Sequence, residues 1–233
     1  MTTEEGPWKA TCTPRQYEWL RTEDAFAACV TLSRALNQLR FARHAIDGIS
    51  VDEHRTYASR QEFNTIFVAA ATLFEAVDFA RKHIGRYFRN YPEFDALAAV
   101  WKDGDNRELL DKHIAPLRNQ AVSHFDLAET KRLLGELTVT EECVFATGRG
   151  NSSRYLHFSL ADAIAVMTFV RPLPADTEEE VRSRLSHLTK RMAKMSHDFI
   201  YAAEALLGTI LTTYGFDTVA DKSASPSVPS NER

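Results

Sequence analysis

Residues 177–207 read TEEEVRSRLSHLTKRMAKMSHDFIYAAEALL, and this stretch decides the fold class. Its apolar positions recur at alternating spacings of four and three, which places them on one face of an α-helix. The members of this apolar stripe are Val181, Leu185, Leu188, Met192, Met195, Phe199, Ala202 and Leu206. The pattern predicts a long helix from Thr177. Two arrangements fit it: the helix packs lengthwise on the other helices of the chain, or its stripe faces a second copy.

A first helix is predicted over about residues 22–46. Its apolar positions recur loosely and include Leu36, Leu39 and Phe41, and Asp47-Gly48 is suited to close it. Phe41 is therefore expected among the apolar residues of this helix.

The next helices are marked by their ends. A capping box that starts at Ser59 begins a long helix, which ends before Pro92. A shorter helix follows from Pro92 to Trp101, and residues 103–106 form a turn. Pro116 has no amide hydrogen and suits the first position of a helix, so residues 118–124 are predicted to open one.

The pattern changes over residues 136–160, where β-branched and aromatic residues flank turn material at 148–151. We expect a small β-hairpin inserted among helices, with helix resuming over 161–170. The complete prediction is a mainly α-helical bundle, built as one domain over 15–218. Residues 1–14 form a leader whose order depends on docking, and residues 219–233 form a disordered tail.

Composition limits the class of protein. With 233 residues, 44% hydrophobic and 26% charged, the chain is typical of a globular domain. The first residues are acidic and polar, unlike a signal peptide. Crossing a bilayer takes about 20 apolar residues, and no apolar run approaches that length. We expect a cytoplasmic protein that does not contact a membrane.

Charge and cysteine content exclude several kinds of site. The formal net charge is −4, so binding of nucleic acid requires a local basic patch. The cysteines, Cys12, Cys29 and Cys143, are far apart and form no CxxC pair, which excludes a disulfide framework and a thiolate zinc site. The histidines show no metal-ligand spacing, so no metal cofactor is expected.

Residues 117–125 read LRNQAVSHF and contain the cluster most specific for chemistry, Arg118, Asn119 and His124. On one helix, Arg118 and His124 stand about 120° apart around the axis and ~9 Å apart along it. They would flank one groove and address one phosphodiester. An arginine fork binds a phosphate that gains charge, and a histidine titrates near neutrality, as acid–base chemistry on a ribose hydroxyl requires.

The pattern of an arginine, a polar residue, four further residues and a histidine resembles the motif of the HEPN superfamily, in its abortive-infection and toxin-like branches. The resemblance covers seven positions and implies a helical bundle, commonly dimeric, whose arginine and histidine meet at the subunit interface. It also implies a metal-independent ribonuclease of phage defence or of a toxin–antitoxin pair. Arg118, Asn119 and His124 would be catalytic, RNA the substrate, and a second copy and a cognate antitoxin the partners.

Other interpretations of the same residues stay open. The chain could be a non-catalytic HEPN-like module that binds a nucleotide or RNA or forms a dimer, or a helical scaffold with no nucleic-acid role. In the latter case Arg118 and His124 simply cap carbonyl groups or pair with acids such as Asp126.

Two basic stripes could bind the substrate backbone, although solvated helix faces show the same pattern. One stripe lies on the second helix and the other on the last helix. Their members are Arg81, Lys82, Arg86 and Arg89, and Arg184, His187, Arg191 and Lys194. The acids Glu75 and Asp78 in the second helix would either orient the catalytic arginine or form ordinary ion pairs.

Overall fold

The structure is a computed structural model that describes residues 8–47, 58–118, 131–132, 159–171 and 177–220. Within these ranges the chain is mainly α-helical, which confirms the predicted fold class. The predicted β-hairpin lies outside the described residues, except that residues 159 and 160 belong to a helix. None of the helices in the described ranges has the length and apolar character needed to cross a membrane.

Nine α-helices are seen in the described part of the chain. They are α1 (Pro14–Leu20), α2 (Asp24–Asp47), α3 (Ala58–Phe79), α4 (Gly85–Phe88), α5 (Pro92–Lys102), α6 (Gly104–Glu108), α7 (Ala115–Leu117), α8 (Ser159–Val170) and α9 (Glu178–Thr213). Two π-helical turns, Ala80–Ile84 and Leu109–Ile114, join α3 to α4 and α6 to α7.

Helix α9 is the element around which the others pack. Its N-cap is Thr177, which forms a capping box with Glu180, and its apolar stripe is buried within the chain from Leu185 to Leu206, with Ala202 partly buried. The helix lies lengthwise against α5, α2 and α8. Packing within the chain therefore accounts for the stripe, which is not a surface for a second copy.

Helices α2 and α3 pack against each other and supply a second part of the core. Leu32, Leu36 and Leu39 of α2 are buried, as are Leu73 and Val77 of α3. The start predicted at Ser59 and the stop before Pro92 agree with the helical run 58–88, which passes without a break through the first π-helical turn.

In the next segment one prediction is wrong and another is confirmed only in part. Residues 103–106 do not form a turn, because the Asp103 side chain accepts a hydrogen bond from the Asn106 amide at 3.0 Å and thereby caps α6. Pro116 does stand near the start of a helix, as the second residue of α7, but α7 continues a helical run that begins at 104 and does not follow a break. Residues 119–124 of the predicted segment lie outside the described residues. The π-helical turn before Pro116, in which the Ala115 amide donates to Leu110, widens the helix where a proline ring would otherwise meet the carbonyl four residues back.

The two ends of the described chain meet in a small antiparallel sheet. Strand β1 (Trp8–Thr11) pairs with β2 (Asp217–Ala220), with Trp8 opposite Ala220. The segment predicted as a leader thus contains a strand, and residues 219 and 220 of the predicted tail belong to β2. Each strand is short and depends on a partner about 200 residues away in the sequence, which local patterns do not reveal.

Candidate functional site

Arg118 is the last described residue of the helical run that begins with α6, and its side chain reaches across to α3. Its Nε and Nη2 atoms each lie 2.6 Å from Oε1 of Glu75, so both donate to one carboxylate oxygen. The Arg118 side chain is 28% exposed and that of Glu75 54%. The pair is therefore a short, charge-assisted contact at the protein surface.

Helix α3 also supplies the ring on which this guanidinium rests. The Cζ atom of Arg118 lies 5.7 Å from the centroid of the Phe74 ring, and Phe74 is itself packed against the core. Adjacent residues of α3 thus hold the arginine through a charge and an aromatic face. The fork is oriented before any ligand arrives.

Asn119 and His124 lie outside the described residues. Asn119 directly follows Arg118 in the chain, and His124 comes six positions after Arg118. The predicted grouping of these three side chains stays a prediction.

Glu75 and Asp78 of α3 both form ion pairs, which was one of the two roles predicted for them. Asp78 binds Lys82 within the helix at 2.7 Å, and Glu75 binds Arg118 between helices. For Glu75 the two alternatives coincide, because its ion-pair partner is the arginine of the motif.

The basic stripe that starts at Arg81 lies at the surface, on the same helical run as Glu75. Arg81 and Lys82 are exposed, and the Arg86 guanidinium lies 5.4 Å from the ring centroid of Tyr87. The Nε atom of Arg89 donates to the Gly85 carbonyl at 3.1 Å. The exposed cations of this stripe remain accessible to an anionic ligand.

Three of the four stripe residues of α9 have intramolecular partners, and the fourth, His187, is exposed. Arg184 donates to the Arg171 carbonyl at 3.3 Å, Arg191 to the Asp105 carbonyl, and Lys194 pairs with Asp198 at 2.7 Å. No contact seen in the described ranges connects these side chains with Arg118 or Glu75. The structure therefore brings the motif arginine together with α3 and not with the stripe of α9.

Sequence reasoning missed a surface groove between α2 and α3. It has a volume of about 400 Å³ and is lined by Arg34, Asn37, Gln38, Phe41, Ala42, Val68 and Thr72. Phe41 is 78% exposed, although the apolar pattern of α2 includes it. The polar residues around it, Asn37 and Gln38, were the available signal that this face of α2 points outward.

His113 is a half-buried histidine on the same helical run as Arg118. Its Nδ1 atom lies 2.7 Å from the Phe169 carbonyl oxygen and donates to it in the neutral form. Burial lowers the pKa of His113, and the nearby cation of Arg191 lowers it further. These contacts are those of a packing residue that connects the second π-helical turn with α8.

Among the residues that the structure describes, no three histidine, cysteine or acidic side chains come close enough to hold a metal ion. Comparisons of the chain with models of known families, with curated proteins and with solved structures find no match. The HEPN resemblance therefore rests on the motif residues and on the helical character of the chain.

Proposed function

We propose that this protein is a metal-independent endoribonuclease of the HEPN type, acting in phage defence or as a toxin. The observation that carries the proposal is the guanidinium of Arg118, held at the surface by Glu75 over the ring of Phe74. An arginine fork that is oriented in advance can stabilise a phosphodiester as it gains negative charge, without a reorganisation cost at that moment.

The chemistry follows from the residue types. The 2′-hydroxyl of the RNA attacks the adjacent phosphorus, the new O2′–P bond forms and the P–O5′ bond breaks. His124 takes the proton from the 2′-hydroxyl or delivers one to the departing 5′-oxygen, solvent water carries the other proton, and Arg118 stabilises the pentacoordinate phosphate. Asn119 orients the phosphate or the imidazole. The products are a 2′,3′-cyclic phosphate and a 5′-hydroxyl.

The RNA strand would extend along α3 and α4. Lys82 and Arg86 come seven and eleven residues after Glu75, a spacing that keeps them on the outer side of a helix. Together with exposed Arg81 they provide phosphate contacts over about 8 Å of helix length, starting about 9 Å along the axis from Glu75. Arg184, Arg191 and Lys194 would contribute less, because no contact in the described ranges brings them to Arg118 or Glu75.

We further propose that the active form is a homodimer in the cytoplasm, with an antitoxin as a possible regulator. Because the stripe of α9 is buried within one chain, the two-fold interface would have to include the surface around Arg118. Light scattering at micromolar concentration should give twice the chain mass. A monomeric mass would contradict this assembly.

One observation favours a second function, a non-catalytic module that binds RNA or a nucleotide. The carboxylate of Glu75 already neutralises Arg118, so the guanidinium has less charge to offer a transition state. In this alternative the arginine holds a phosphate that no residue cleaves.

The test is incubation of the purified chain with single-stranded RNA, with and without EDTA, followed by end-group determination. We expect cleavage in EDTA, cyclic phosphate ends, and no cleavage when the scissile nucleotide lacks its 2′-hydroxyl. His124→Ala and Arg118→Lys should both abolish cleavage, the latter because an ammonium cannot replace a fork. Arg107→Lys, at an exposed arginine of α6, is the matched control.

Three outcomes would rule out the mechanism: cleavage of DNA, dependence on a divalent ion, or a 5′-phosphate end. RNA that is bound but not cut would establish the second function. Unfolding of the His124→Ala variant would show that the histidine is a structural residue.

A further inference from the structure

The groove between α2 and α3 combines an aromatic face with groups that form hydrogen bonds. Phe41 is exposed on one wall and Val68 on the other. Asn37 accepts a hydrogen bond from Arg40 at 3.4 Å, which leaves its amide nitrogen as a donor, and Gln38 makes no hydrogen bond within the described residues. An exposed ring flanked by two amide side chains can stack a planar group and bind its edge.

The charge of the groove favours an anionic ligand. Arg34 lines it and forms no ion pair within the described part of the chain. None of the described residues that line the groove is acidic. A cation next to an aromatic platform is the combination that proteins use to bind single-stranded nucleic acid, where the ring stacks a base and the cation contacts a phosphate.

We propose that this groove binds one unpaired nucleobase of single-stranded RNA. The base stacks on Phe41, the amides of Asn37 and Gln38 bind its edge, and Arg34 contacts the neighbouring phosphate. Thr72 also lines the groove, and its hydroxyl donates to the Val68 carbonyl at 2.8 Å.

The position of the groove connects it with Arg118. Thr72 lies three residues before Glu75 on α3, which is less than one helical turn and about 4.5 Å along the axis. A strand with one phosphate at Arg118 can therefore place an adjacent base in the groove. This inference rests on the proposed function in that the ligand is the strand that Arg118 would bind, and the test separates the two.

The experiment measures binding of a short, fluorescently labelled oligouridine to the full chain carrying His124→Ala, by fluorescence anisotropy. Phe41→Leu keeps an apolar side chain but removes the ring, and should weaken binding by about 5- to 150-fold, the range for loss of one stacked base. Phe41→Tyr should bind like the parent. Arg34→Gln should weaken binding and reduce its salt dependence by about one phosphate contact.

Two controls define the effect. Tyr17→Leu removes another exposed aromatic ring, on α1, and should leave the affinity unchanged. A perfectly paired RNA duplex offers no free base, so Phe41→Leu should not alter its affinity. Because Phe41 is exposed, the circular dichroism spectrum and melting temperature of the variants should match those of the parent.

Unchanged oligouridine affinity of Phe41→Leu would overturn the proposal, as would an equal loss for the duplex. A change of oligomeric mass caused by Phe41→Leu would also overturn it, since the groove would then hold a second copy. If the unmodified chain cleaves RNA and the RNA affinity does not depend on Phe41, the ribonuclease proposal stands and the base-site proposal is contradicted. Binding that depends on Phe41, with no cleavage by the unmodified chain, would support the base site and contradict the ribonuclease activity.

Discussion

Replacing Glu75 by Gln distinguishes a site arginine from a structural one. The pair that Glu75 forms with Arg118 is partly exposed, and ion pairs of this kind contribute about 0.2–1 kcal/mol to stability. Glu75→Gln should therefore lower the free energy of unfolding by less than about 1 kcal/mol. For a chain of this length the melting temperature should fall by no more than about 4 °C.

The effect on RNA cleavage should be much larger. Without the carboxylate, the fork of Arg118 loses the group that orients it, and a misplacement near 1 Å costs up to about 100-fold in rate. We expect kcat to fall by about 10- to 100-fold. KM for RNA should stay constant or fall, because a negative charge that faces the phosphate has been removed.

The assay is a double-mutant cycle with Glu75→Gln, Arg118→Gln and the combined variant, measured by urea unfolding and by steady-state cleavage. Glu18→Gln is the matched control, because Glu18 forms a surface ion pair with Arg21 at 2.7 Å on α1. It should cause a similarly small loss of stability and no change in cleavage. A coupling of about 3–5 kcal/mol between Glu75 and Arg118 would refute the reasoning, since that size belongs to a buried structural pair.

Three further predictions concern the interior. Phe199 is fully buried in α9, so Phe199→Ala should lower the free energy of unfolding by about 3–5 kcal/mol in urea titrations, whereas Tyr201→Ala, at an exposed position, should cost far less. Burial lowers the pKa of His113 from its ordinary value of 6.5, so its contribution to stability is present above that value and is lost as the pH falls through it. His113→Gln should therefore flatten the fall in melting temperature between neutral and mildly acidic pH, and an unchanged slope would contradict this assignment. Burial raises the pKa of the Cys29 thiol to about 12, so iodoacetamide should modify Cys29 only after unfolding, as followed by peptide mass spectrometry.

The helices were predictable where their signals are local. The capping box of Thr177 and the apolar stripe that follows it lie within one continuous segment, and the structure has helix α9 there. The same is true of the run that ends before Pro92. Hydrophobic spacing and capping depend on residues a few positions apart, so they do not require knowledge of the rest of the fold.

Part of the candidate site was also predictable. The residues that follow Arg118 in the chain indicate a chemical role for it, and the sequence offers Glu75 and Asp78 as acids that could orient it. The sequence could not choose between Glu75 and Asp78, because the choice depends on which face of α3 lies next to Arg118. Phe41 was misjudged for a related reason: loose apolar spacing in α2 does not tell which residues the neighbouring helix covers.

By itself the sequence determined the helical class, the long run that ends before Pro92 and the start of α9, and it predicts Arg118 as a site residue. Only the tertiary structure decided that β1 pairs with β2, that the apolar stripe of α9 is buried within one chain, and that Glu75 is the partner of Arg118. The physical reason is the range of the interactions. Helix formation and capping act between neighbours in the chain, whereas strand pairing, burial and interhelical ion pairs join residues between 43 and about 200 positions apart.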